Sequence, residues 1–134
     1  MGRENSSFAI ASAISERMEL AQFEYEIRES LRNIPYVDSI VIQPRTEISL
    51  QGTVGLRKDY KLTVFYNQAF FVMSFSVIFK DHRIWAIDRD NRVGWHEHPL
   101  ENPDLHNPIA PHTIAEIINR FDQICSQYLG LRDN

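Results

Sequence analysis

The sequence predicts an α+β domain, in which a long N-terminal helix and a C-terminal amphipathic helix flank an antiparallel meander of five or six strands. Three observations carry this. Apolar residues recur at three- and four-residue steps at both ends of the chain, as they do on a helix with one buried side. Between them, from residue 36 to 98, apolar and polar residues alternate in runs of strand length. The breaks between those runs are too short for crossover connections, so neighbouring strands must run antiparallel.

The first element, expected over 1–34 with its helical turns from about Ser7, carries two apolar series. These are Ile10, Ile14, Met18, Ala21 and then Leu20, Phe23, Ile27, Leu31, Ile34. Asn5, Ser6 and Ser7 are candidate N-caps, and Pro35 stops the helix because its ring disfavours the α conformation of the preceding residue. Glu24 and Arg28 form an i,i+4 pair on a solvated acidic face.

Strand signals follow in order. "YVDSIVIQ" is the first, ended by Pro44, and "EISLQG" the second. "RKDYKLTVFYN" places Tyr60, Leu62, Val64 and Tyr66 on one face and Lys61, Thr63 and Phe65 on the other. "FFVMSFSVIF", residues 70–79, is apolar on nearly both faces, which predicts a central strand covered on each side. Asp81-His82 reads as a tight turn into "RIWAID", and "RDN" as a second turn into "RVGWHEH". Residues 99–112, rich in Pro and Asn, predict a loop. The last helix, 113–129, opens on a Thr113/Glu116 capping box. Its apolar stripe is Ile114, Ile117, Ile118, Phe121, Cys125 and Tyr128, and Gly130 ends it.

One domain spanning 1–134 suits the length. With 43% hydrophobic and 24% charged residues the composition is that of an ordinary soluble protein. A single cysteine, Cys125, excludes an internal disulfide and fits a reducing cytoplasm. No apolar run reaches the roughly 20 residues of a membrane span, and the first residues lack the pattern of a signal peptide. A net charge of −4 argues against coating nucleic acid through bulk electrostatics, but it permits a local basic site. Candidates for one are Arg83, Arg89 and Arg92, with Arg57, Lys58 and Lys61 earlier in the chain.

Function concentrates in "GWHEHPLENPDLHNPIAPH". This stretch, residues 94–112, holds four of the five histidines, and the fifth is His82. On a strand, His96 and His98 share one face, opposite Val93, Trp95 and Glu97, which read as the core side. Their Cβ atoms then lie about 6–7 Å apart, two strand rises. Gly94 leaves space beside them, and the loop after Pro99 can bring back His106 and His112.

Three readings suit such a cluster. In metal-free RNA cleavage, His96 and His98 serve as base and acid on a 2′-OH and a leaving 5′ oxygen, an arginine from Arg89 and Arg92 holds the phosphate, and Asp90 assists. No cofactor is then needed. In a metal site, His96, His98 and His106 join a carboxylate from Asp88, Asp90 or Glu101 around a divalent ion. In the third case there is no chemistry, and the rings simply bond backbone carbonyls and pin the loop. A non-enzymatic binding module is a further alternative, its histidine loop and acidic first helix contacting a protein or nucleic-acid partner. The Asp88, Asp90 and Asn91 types also suit a plain hairpin turn, and His82 suits its own. Trp85 and Trp95 could stack a base but fall on the core side. Cys125 lies on the apolar stripe of its helix.

The segment "FFVMSFSVIFKDHRIWAIDRDNRVGWHEHP" resembles the core of the TumE family, small toxins of type II toxin–antitoxin systems. The likeness covers roughly residues 60–115. It implies a ribonuclease-like toxin with RNA as substrate and an antitoxin protein as partner, homo-oligomerisation being compatible with it. On this resemblance Asp90 and Asn91 match the family's turn, and His96 and His98 match its histidine cluster. The family's second histidine group is represented here only by Pro111-His112-Thr113.

Overall fold

In the computed structural model of the chain, residues 18–133 are described. Helix α1 spans Leu20–Leu31 and buries Phe23, Ile27 and Leu31, the expected stripe. It starts at Leu20 because Glu19, its N-cap, is extended (φ −70°, ψ 155°). The expected turns before residue 18, and the candidate caps Asn5, Ser6 and Ser7, lie outside the described residues. Glu24 and Arg28 pair at 3.0 Å as read.

Seven strands follow in one antiparallel sheet whose spatial order equals their sequence order. They are β1 (Val37–Thr46), β2 (Ser49–Leu56), β3 (Tyr60–Asn67), β4 (Val72–Phe79), β5 (His82–Asp90), β6 (Gly94–His98) and β7 (Asn107–Pro108). Five or six were expected. The seventh is a two-residue strand inside the Pro/Asn loop, where neither length nor alternation announces it. Pro44 does not end β1, because β1 is an edge strand and an edge proline forfeits no ladder bond.

The turns differ from expectation in position. Lys80 and Asp81, both at positive φ (51° and 67°), make the β4–β5 hairpin, so His82 already belongs to β5. This is the paired left-handed geometry whose twist matches that of the flanking strands. Between β5 and β6 the left-handed residue is Gly94 (φ 82°), not an Asp or Asn. Its backbone kink takes Val93 out of the pleat, and Val93 is 44% exposed instead of in the core.

Helix α2 spans Ile114–Gln127, with the Thr113/Glu116 capping box formed in both directions. Ile124, rather than the exposed Tyr128, completes its stripe. Both helices cover the same side of the sheet. Phe23 of α1 stacks on Tyr66 at 4.2 Å between centroids and touches Phe75, while Arg120 of α2 reaches Glu97. The core is made by the alternate residues Leu62, Val64 and Tyr66 of β3, Met73, Phe75 and Val77 of β4, and Trp85 and Ile87 of β5. β4 is central as expected, yet among the described residues only one of its faces is under helices. Ser74 and Ser76 stand on the other.

At the α1–α2 end, Tyr36 donates to Asp122 at 2.6 Å, and Arg132 and Ser126 hold the same carboxylate. Burial, with that bond, pushes the Tyr36 hydroxyl above its ordinary range. Burial also pushes the Cys125 thiol up to about 12, so it is a packing residue rather than a nucleophile.

Candidate metal centre

Cross-strand register builds the site. Asp88 of β5 lies directly opposite His96 of β6, and Ala86 lies opposite His98. Asp88, His96 and His98 therefore share the face opposite α1 and α2, with the small Ala86 between them. The alternation read from the sequence is correct here: Glu97 points the other way, where it accepts from Trp85 Nε1 (2.7 Å) and Arg120 Nε (3.0 Å). Those two bonds anchor β6 from behind and fix the pleat that presents the histidines.

The 99–106 loop then folds back and adds His106. Ring centroids are 5.0 Å apart for His96–His98, 5.1 Å for His96–His106 and 4.7 Å for His98–His106. One ring nitrogen from each histidine falls within 4.8 Å of the others. His96 and His98 are each only 2% exposed, while His106 is exposed.

Backbone carbonyls decide the tautomers. His96 Nδ1 lies 2.9 Å from Gly94 O, and His98 Nδ1 lies 2.8 Å from Pro103 O. A carbonyl can only accept, so each Nδ1 carries a hydrogen and, in the neutral ring, each Nε2 keeps a lone pair. Those two Nε2 atoms face Asp88 Oδ2, at 3.1 Å from His98 and 3.7 Å from His96. Lone pairs aimed at a carboxylate repel unless something positive lies between. A proton can fill one such gap, whereas a metal cation serves all of them together.

The donor set has the chemistry of a transition-metal site. Bonds of about 2.0–2.1 Å in a tetrahedron separate neighbouring donors by roughly 3.3 Å. The Asp88–histidine separations are close to that, while the histidine nitrogens, within 4.8 Å of one another, would draw closer around an ion. Imidazole with one carboxylate suits zinc, iron and nickel. Nδ1–H bonds to carbonyls are the outer contacts that orient metal-binding histidines. Asp88 Oδ1 is buried without a hydrogen-bond partner among the described residues. A buried acceptor left alone costs about 1–3 kcal/mol, and an ion is one of the things that accounts for it.

The other site residues named from the sequence go elsewhere. Asp90 accepts from the Val93 and Arg92 backbone N–H groups and caps the β5–β6 turn. The Val93 bond is the main cause holding its carboxyl below the usual range. Arg92 is exposed in that turn. Arg89 points to the helix side, stacks over Phe71 at 4.3 Å and donates to Phe71 O and Asn91 Oδ1. Neither arginine is brought to the histidines. His112 leans on Trp95 and contacts Ala110 O, away from the cluster. Glu101 is exposed on the loop, so of the three carboxylates considered Asp88 alone joins the rings.

The arginine beside the cluster is Arg83. Its Nη1 lies 3.7 Å from Asp88 Oδ2, and its Nη2 lies 3.4 Å from His98 Nδ1. Since that Nδ1 already donates to Pro103 O, the Nη2 contact is donor against donor and binds nothing. Arg83 thus keeps spare donors at the rim of the site, with its side chain 40% exposed.

An antiparallel sheet with helices on one face and a histidine–aspartate cluster on the other defines the class as an α+β protein with a candidate metal centre. No family model, curated protein or solved structure matches this chain. No helix among the described residues is long and apolar enough to cross a membrane.

Proposed function

We propose that this chain is a metal-dependent ribonuclease, the toxin half of a toxin–antitoxin pair acting in the cytoplasm, with His96, His98, His106 and Asp88 holding one divalent transition-metal ion. The observation that carries the metal is the clustering of three imidazoles, with the half-buried Asp88 carboxylate against two of them. RNA as the substrate and an antitoxin as the partner rest on the resemblance of residues 60–115 to the TumE family.

The metal-dependent reading is preferred to direct acid–base work by His96 and His98. Both rings are buried, and each has one nitrogen tied to a carbonyl and the other turned towards Asp88. A general base must come within about 2.6–3.2 Å of the proton it removes, and neither ring offers a nitrogen to an incoming 2′-OH. When bound, such an ion supplies an activated water near neutral pH and polarises a phosphoryl oxygen. The chain's own residues do the rest. Gly94 O and Pro103 O orient the rings, His106 marks the open side, and Arg83 offers donors to a phosphate there.

Incubation of purified protein with single-stranded RNA tests this. Cleavage is expected to stop in excess chelator, to return with added zinc or manganese, and to be absent in His98→Ala. Cleavage that persists in chelator and still needs His96 and His98 would restore the metal-free mechanism. No cleavage with any divalent metal would remove the ribonuclease reading.

A further inference from the structure

The ladder register lays out three parallel rows on the face opposite α1 and α2. One runs Ser39, Gly55, Lys61, Ile78, Arg83. The next runs Val41, Thr53, Thr63, Ser76, Ala86, His98. The third runs Gln43, Gln51, Phe65, Ser74, Asp88, His96. Leading away from the histidines, the floor is therefore made of small hydroxyl side chains, with the Phe65 ring lying half-buried among them. A hollow at the far end is lined by Arg45, Gln51, Thr63, Phe65 and Ser74. Arg45 donates to Gln51 across it.

We infer that this face is a track for a single-stranded nucleic acid, leading its backbone past Lys61 and Arg83 to the histidine cluster. The inference rests on the proposed phosphodiester cleavage for its purpose, but on the face itself for its chemistry. Cations stand along one row and at the far end as Arg83, Lys61 and Arg45, and Asp88 is the one acidic residue in the three rows. Asp59 and Asp81 border Lys61 outside the rows, and on a protein of net charge −4 these three cations are the groups on this face that a phosphate backbone would meet. Serine and threonine hydroxyls bond phosphate and sugar oxygens without selecting a base. Phe65 supplies a ring for stacking, and only an unpaired base offers it a free π-face. The floor from β5 to β2 spans three strand spacings, about 14 Å, which at the stacked rise of 3.4 Å holds roughly four nucleotides.

A labelled eight-nucleotide oligouridylate is titrated against the full chain in chelator, so that nothing is cleaved, and fluorescence anisotropy is followed. Oligothymidylate and an eight-base-pair RNA duplex are run beside it. The single strands are expected to bind at least tenfold more tightly than the duplex. Phe65→Ala should weaken single-strand binding about tenfold. Arg45→Gln, Lys61→Gln and Arg83→Gln should each lower the slope of log affinity against log salt by about 0.7. Arg28→Gln, on the helix side, should change neither quantity. Equal binding of RNA and DNA supports a track that holds backbone and ring without reading the 2′-OH.

The inference falls if the duplex binds as well as the single strands, or if the four track variants match Arg28→Gln. It also falls if sedimentation shows a wild-type dimer that Phe65→Ala dissolves, because the face is then an interface between copies. Metal content measured on the same preparations, loaded with zinc and desalted before any chelator is added, separates the two readings. Bound metal with no track sinks this inference alone, and selective single-strand binding without metal sinks the metal reading and leaves the track.

Discussion

The His98→Ala variant is expected to bind zinc at least about 100-fold more weakly than the wild type. Loss of an outer-sphere partner of a metal ligand already lowers affinity 10–100-fold in metal sites. His98 is a proposed ligand itself, and its Nδ1–H to Pro103 O also ties down the loop that carries His106. Two donors are therefore lost or displaced by one change. A bound ion stabilises the folded chain by mass action, by roughly 2.7 kcal/mol at a hundred times the dissociation constant. Zinc at that concentration should accordingly raise the thermal midpoint of the wild type and move that of His98→Ala little, by the equivalent of about 0.4 kcal/mol or less. Calorimetry with thermal unfolding reads both quantities, and a midpoint shift of wild-type size retained in His98→Ala would contradict the assignment of that residue.

A second large effect is expected on the opposite side of the same strands. Trp85 is fully buried, and its indole donates to Glu97, which also accepts from Arg120 of α2. Trp85→Ala opens a cavity beneath β5, and truncation of a buried aromatic costs about 3–5 kcal/mol. Against a typical total of 5–15 kcal/mol this is a severe loss. Trp85→Phe keeps most of the volume and drops only the indole donor, so it should cost about 1–2 kcal/mol. Because Glu97 lies between His96 and His98 in the chain, loosening its anchor should also weaken zinc binding, with His96, His98 and His106 all intact. Urea unfolding and zinc titration of the two variants test the link. Equal zinc affinity in the wild type and Trp85→Ala would show that the anchor does not position the site.

Much of this fold was legible because its signals are local. The capping box at Thr113 and Glu116, the buried series Phe23, Ile27, Leu31, and the alternation through Leu62, Val64 and Tyr66 each need only neighbours in sequence. The pairing of His96 with His98 on one face, opposite Glu97, was legible for the same reason. What sequence left open depends on register and backbone twist. Asp88, Asp90 and Glu101 are equivalent as letters, and the β5–β6 ladder is what sets Asp88 opposite His96 while Asp90 closes the turn. Arg83 was readable as a nearby cation, but only the hairpin at Lys80-Asp81 and the irregular register after Val77 bring it beside Asp88. Arg89 is turned away by the same alternation, towards Phe71, whose positive φ (52°) has no mark in the sequence. β7 contains a proline and only two residues, so no propensity could flag it.

The centre of the account is one divalent ion shared by three imidazoles and one carboxylate. Metal-free protein titrated with cobalt(II) reads this directly, since cobalt takes zinc sites and its visible spectrum reports coordination. Saturation at one equivalent per chain is expected, with the bands of a nitrogen- and oxygen-coordinated ion, and both are lost in the Asp88→Asn, His106→Ala double variant. Wild-type protein that stays colourless through excess cobalt, and takes up no zinc or manganese by elemental analysis, would contradict it.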